Sequence, residues 1–345
     1  MVKKAIEQWK SGRTVGYAAL GLYGNEPGSV RRQVHDGDTV TVRAASPDPE
    51  EMTGNFGVRF LGIDTPEVSL PLPGRTGFTP IGHEEWKRFL ADPFSEEWPP
   101  FEPPLYPGPL EYLRTKVGQN AAANHHAHAE KAEEALEREM EDDLRVLGKS
   151  PETFRFFLSF AHEVMDRYGR FLGYLNRFQP DENDPEPRPR SYNERLLEEA
   201  VANPYFIWPN VDPFRGYSSL AAAVPEPGTA SRRTSGDNAL AEARTWVRAA
   251  RESTAGVFSE DDPLLLQAFE VRFLSRQSTI EVDRGERKVR RPPDRWVIDL
   301  SKEDDVLLPP QHYHTIPFPE DRLFVPAEYV PLFVEHGWRR GADGR

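Results

Sequence analysis

Val34-His35-Asp36-Gly37-Asp38-Thr39-Val40 places an Asp-Gly turn between two apolar runs, and reading it as a hairpin decides the fold around it. Val30 to Val34 and Thr39 to Ala44 read as the paired strands. Gly57 to Ile63 reads as a third, stopping before Pro66, with Ser46-Pro47-Asp48-Pro49 as the connection. Residues 28–68 are therefore expected to form an antiparallel meander.

From Leu70 to Pro109 proline, glycine and aromatic residues rise with little periodicity apart from a short helix over Gly82 to Leu90, which reads as an inserted loop. Leu113, Val117, Ala121, Ala132, Leu136, Met140 and Leu144 then keep a helical spacing, predicting one long helix from Leu110 to Leu147 that stops at Gly148. Phe154 to Ala161 and Arg170 to Asn176 read as strands around the turn Asp166-Arg167-Tyr168-Gly169-Arg170. Asn193 to Val201 and Asp237 to Ala255 read as helices with a loop over Pro225 to Gly236. Beyond about 260, Ala268 to Ser275, Ser278 to Asp283, Arg295 to Leu300 and Arg322 to Val325 read as strands, with Tyr329 to Gly337 as a closing helical turn.

A chain of 345 residues with 38% hydrophobic and 11% aromatic residues can fill a sizeable core. Its 33 prolines, about twice the average usage, point to long ordered loops rather than helix throughout. With no cysteine, disulfides and thiolate metal sites are excluded. No apolar run is long enough to span a bilayer, and Glu7, Gln8 and Trp9 stand where the apolar part of a secretory leader would be, so a cytoplasmic protein is expected. The net charge of −13 opposes a general attraction to nucleic acid, so any basic surface must be local or supplied by a partner. Basic residues cluster at Arg31-Arg32, Arg232-Arg233, Arg244 to Arg251 and Arg284 to Arg295, where solvated faces are the ordinary explanation.

Three acids and two arginines then stand out. A metal ion that must hold phosphate and water needs hard oxygen ligands with open positions, which Asp38, Asp64 and the Thr65 carbonyl can supply. Glu67, just past Pro66, is placed to act on the attacking water, and Arg59 and Arg170 can fork onto phosphate oxygens as charge builds. Asp-Gly-Asp-Thr alone is a common turn and a lone strand arginine is commonly structural; the combination is what is specific. His125 and His128, three apart on the long helix, and His312 and His314 in a proline-rich loop lack a completing acid or cysteine set and read as solvated positions.

In these motifs the chain resembles the staphylococcal nuclease (thermonuclease) family over about 28–258. The resemblance implies an α+β fold: a five-stranded OB-fold barrel with three helices, here with a long helical and loop insertion at about 69–150 and a small, mostly-β C-terminal appendage. It divides the chain into an N-terminal extension (1–27), a nuclease-like domain (28–260) and a C-terminal region (261–345). It further implies Ca2+ held by Asp38, Asp64 and the Thr65 carbonyl, catalytic roles for Arg59, Glu67 and Arg170, and a nucleotide pocket lined by Tyr168 and Leu172. Tyr192-Asn193-Glu194-Arg195-Leu196 resembles the family's second helix, and Leu240 to Phe258 its third. Phe206 and Trp208 stand where the family usually has tyrosines, retaining base stacking without the hydroxyl hydrogen bonds.

The expected activity is calcium-dependent hydrolysis of single-stranded or duplex DNA, or of RNA, leaving 3′-phosphates. The insertion or the C-terminal region is a candidate surface for a protein partner, and gating by that partner or by the insertion is a further expectation. The alternative expectation is an inactive member of the same family that binds nucleic acid or protein.

Overall fold

The computed structural model describes residues 6–8, 14–24, 26–45, 54–102, 104–166, 168–211, 217, 219–231, 238–276, 280–283, 286–289 and 295–342. The connection Ser46-Pro47-Asp48-Pro49, Arg167, the Arg232-Arg233 pair, and Arg284, Arg290 and Arg291 lie outside the described residues.

Alternation of Val40 and Val42 with Thr39, Thr41 and Arg43 turns the two valines inward, and both are fully buried. Their strand, Thr39–Ala44, pairs antiparallel on one side with Phe56–Phe60 and on the other with Thr14–Leu20. Thr14–Leu20 pairs with Phe156–Met165, which pairs with Phe171–Arg177, and that strand returns, parallel, to Phe56–Phe60. The ring closes. The result is a mixed α+β fold around a closed five-stranded barrel whose connectivity is compatible with an OB-fold. Its first strand, Thr14–Leu20, precedes residue 28.

Three expected elements are different in the structure. Val30–Gln33 is a single helical turn rather than a strand, and the strand ahead of the Asp-Gly turn is Val34–Asp36. The helix expected over Leu110 to Leu147 is two, Pro107–Arg114 and Ala121–Val146. The break lies where Gly118 donates its N–H to the Leu90 carbonyl at 2.9 Å instead of continuing the helical ladder. The second helix does end at Gly148, at φ +59°, where Lys149 N–H caps the Leu144 carbonyl at 2.9 Å. Finally, Ala268–Ser275 is a helix: Gln267 and Glu270 form a reciprocal capping box, and Val271 and Leu274, three apart, share its buried face.

A second sheet runs Arg295–Asp299, Arg322–Pro326, Asn203–Ile207, Gly62–Asp64. It begins where Gly62, at φ +78°, turns the chain out of the barrel strand; a side chain there would meet the Tyr174 hydroxyl. Residues beyond 260 thus share a sheet with the segment that carries Asp64, and they include helices as well as strands. Ile298, Leu323, Val325, Phe333 and Trp338 are buried in the same core as the barrel valines. A separate core joins the insertion to the C-terminal region: Leu72, Ile81, Trp86, Phe89, Leu90 and Leu113 pack with Leu266, Val271 and Leu274. No helix among the described residues is long and apolar enough to cross a membrane.

Candidate active site

The turn at Asp36-Gly37-Asp38 presses directly on the long helix, since a side chain at Gly37 would stand 2.5 Å from Ala132. Asp38, the next residue, is completely buried. Across the barrel sheet, register sets Arg59 opposite Thr39, and Phe60 N–H donates to the Asp38 carbonyl at 2.8 Å, locking turn and strand together. Arg59 then bridges two acids: one guanidinium nitrogen donates to Asp38 and the other to Asp64 Oδ1 at 2.6 Å. Asp38 Oδ2 accepts the Thr65 N–H at 3.1 Å, fixing the loop that follows Asp64.

Glu67 is held from both ends. Its N–H donates to His125 Nε2 at 2.9 Å, and its carboxylate accepts from Arg272. Arg272, on the C-terminal helix Ala268–Ser275, also forks onto Asp64, with Nη1 2.9 Å from Oδ1 and Nη2 2.8 Å from Oδ2. Asp36 joins the group, accepting the Val68 N–H at 3.2 Å.

Four carboxylates therefore face two guanidiniums, and two of the carboxylates, Asp36 and Asp38, are held above the ordinary range. Burial, with Glu67 and Asp38 adding to it, pushes Asp36 up to about 8. Burial pushes Asp38 up to about 6 against the pull of Arg59, with Asp64 and Glu67 raising it further. Arg59 loses from burial but is raised on balance by Asp38, Asp64 and Glu67; Arg272 is raised well above its ordinary value by Asp64 and Glu67 against the same burial cost.

Asp38 and Asp64 are hard oxygen donors of the kind a calcium ion takes, here held by Arg59 and Arg272, and the Thr65 hydroxyl beside them is buried without a hydrogen-bond partner. Among the described residues no three Asp, Glu or His side chains are grouped to hold a metal by themselves, so main-chain carbonyl and water would complete the shell.

The structure brings together Asp38, Arg59, Asp64, Thr65 and Glu67. Arg170 is engaged elsewhere: Nε is 2.8 Å from Asp166 Oδ2, and its N–H and that of Tyr168 donate to Asp166 Oδ1. Leu172 lies opposite Arg59 in the parallel pair and packs on Leu61 and Tyr174, while Tyr168 is 61% exposed at the turn. Phe206 and Trp208, expected to stack on bases, are core side chains. Strand alternation turns Phe206 inward, and Trp208 donates its indole N–H to the Ala223 carbonyl at 2.9 Å while packing on Tyr329 and Phe333. Tyr205, on the opposite strand face, stacks with Phe269 instead, and Arg272 lies 6.0 Å from its ring centroid.

His125 and His128 are buried rather than solvated. His125 donates Nδ1–H to the Leu266 carbonyl at 3.1 Å and His128 reaches the Asp262 carbonyl at 3.0 Å, so both serve the docking of the C-terminal segment. The Arg244 to Arg251 run is likewise structural at both ends, pairing with Asp321 and Glu320.

Sequence reading missed Asp36, Arg272, Tyr205 and His125 as parts of this site. Asp36 was within reach, two residues before Asp38. Arg272 had no local signal, because its role depends on docking a helix against the insertion. Comparison with models of known protein families and with curated proteins gave no match.

Proposed function

We propose that the chain is a calcium-dependent phosphodiesterase that hydrolyses nucleic acid, as its resemblance to the staphylococcal nuclease family implies. The observation that carries this reading is the convergence of Asp38, Asp64 and Glu67 around Arg59 in one buried cluster, with the Thr65 loop tied to Asp38. Several acids buried beside one another with perturbed proton affinities are a feature that functional sites share.

Asp38, Asp64 and the Thr65 carbonyl would hold the Ca2+. When bound, the ion supplies Lewis acidity to a phosphoryl oxygen and lowers the pKa of water. Glu67 orients the attacking water and takes its proton, with His125 fixing its backbone. Arg59 exchanges a carboxylate for a non-bridging phosphate oxygen as negative charge develops there. Attack in line with the 5′ oxygen would leave a 3′-phosphate, and by the resemblance Tyr168 and Leu172 would line the nucleotide pocket.

The test is digestion of single-stranded DNA, duplex DNA and RNA by the purified chain in calcium, in EDTA, and with Glu67→Gln. Calcium-dependent cleavage lost in the variant is expected. A folded wild-type chain that cleaves none of the three would refute the reading and leave a binding protein.

A further inference from the structure

The expected second phosphate arginine, Arg170, is tied to Asp166 and its guanidinium lies over the Tyr168 ring at 5.5 Å. A different guanidinium stands among the acids. Arg272 holds both oxygens of Asp64 in the planar fork that suits carboxylate and phosphate alike.

The helix that carries Arg272 is firmly seated. Val271 and Leu274 are fully buried against the insertion, Ser275 Oγ donates to the Pro71 carbonyl, and Glu270 accepts from the Tyr313 hydroxyl at 2.9 Å. The backbone below Arg272 is thereby fixed, so any exchange of Asp64 for a phosphate falls to its side chain. One turn later, about 6 Å along the helix axis, Arg276 places Nη2 3.5 Å from the Tyr168 hydroxyl. Residues four apart share a helix face, so the two arginines mark a path from the buried acids to the exposed Tyr168 ring. In a chain of net charge −13, these two guanidiniums place positive charge at the rim of an otherwise acidic cluster.

We propose that Arg272 is a phosphate-binding residue of the active site and that Arg276 extends the contact to a neighbouring phosphate. The C-terminal helix would then form one wall of the groove followed by a nucleic-acid strand. This deepens, and rests on, the phosphodiesterase reading above.

The experiment measures binding of a fluorescein-labelled single-stranded DNA oligonucleotide by anisotropy, in calcium, on the full-length chain in a Glu67→Gln background. Arg272→Ala should weaken binding about tenfold, Arg272→Lys by less, and Arg276→Ala a few-fold. Each loss should flatten the salt dependence by about one phosphate contact. Arg272→Lys keeps a positive charge among the acids and Arg276→Ala touches none of them, so these two decide the matter if Arg272→Ala does not fold. Unchanged or tighter binding in both overturns the proposal and makes Arg272 an internal counter-ion. Wild-type cleavage, measured in parallel, separates the two claims. Cleavage with unaltered variant binding removes only the role of the helix. Lost variant binding without wild-type cleavage removes only the nuclease reading. A wild-type chain that neither cleaves nor binds removes both.

Discussion

Arg272 stands 208 residues after Asp64 in the chain and bonds both oxygens of its carboxylate, at 2.9 and 2.8 Å. The charge balance of the acid cluster is consequently set by a segment remote from it, and several measurable consequences follow from how the buried charges are shared.

Glu67→Gln keeps the size of the side chain and an oxygen for Arg272 while removing the proposed base. Calcium-dependent cleavage should fall by about 10²–10⁴-fold in kcat, with the thermal midpoint little changed. Steady-state kinetics beside thermal unfolding checks both parts.

Removing Arg59 leaves Asp38 and Asp64 buried without the guanidinium they share. Arg59→Ala should destabilise the fold by about 3–5 kcal/mol, measured by urea denaturation. Adding Asp38→Asn should restore part of the loss, because the uncompensated charge is then gone.

A second buried network sits away from the site. Asp143, on the long helix, accepts from Arg177 at 2.9 Å, Arg195 at 2.8 Å and the Tyr192 hydroxyl at 2.7 Å. Asp143→Ala removes the nearer carboxylate of Arg177, which is 1% exposed and is left with Glu186 at 3.5 Å, and should cost about 3–5 kcal/mol. Urea denaturation should show this with cleavage per folded molecule unaltered.

Trp208 separates a packing role from a stacking role. Its ring fills the core against Tyr329 and Phe333, so Trp208→Ala should lower stability by about 3–5 kcal/mol. Oligonucleotide affinity of the remaining folded protein should match the parent; an affinity loss without destabilisation would return Trp208 to the nucleotide pocket.

Burial holds the His125 imidazole down at about 4, against the pull of Glu67 and Asp64, with Arg272 adding to the depression. The unfolded chain takes up this proton near the ordinary value of 6.5 and the folded chain only near 4. The unfolded state therefore binds more protons between those limits. Stability from this group is full above 6.5 and declines as pH falls toward 4. Urea midpoints at several pH values should show the decline, and His125→Asn should have a lower midpoint near neutrality but a shallower dependence below 6.5.

What was legible in the sequence was local. Asp36-Gly37-Asp38 and Asp64-Thr65-Pro66-Glu67 are single turns next to strands of clear alternation, so their placement follows from period and turn chemistry. Phe206 and Trp208 were legible as aromatic but not as inward-facing, because a run of consecutive apolar residues does not reveal which strand face meets the core. Ala268–Ser275 misled for a related reason: Phe269, Val271 and Phe273 alternate like a strand, while the capping box at Gln267 and Glu270 specifies a helix. Arg272 and His125 acquire their roles only through tertiary docking, which no window of sequence contains.

The shared core of insertion and C-terminal helix also imposes a timetable on synthesis. His125 reaches for the Leu266 carbonyl, 141 residues downstream. At about 5–20 residues per second that carbonyl is made roughly 7–30 s later. Through that interval Trp86, Phe89 and Leu90 must wait without Val271 and Leu274 to cover them, and in its later part, once Phe171–Arg177 is made, every barrel strand has already been translated. The nascent chain is therefore most vulnerable to aggregation or proteolysis at the insertion, and a ribosome that stalls between the barrel and residue 266 releases a polypeptide with a complete barrel but an open apolar flank.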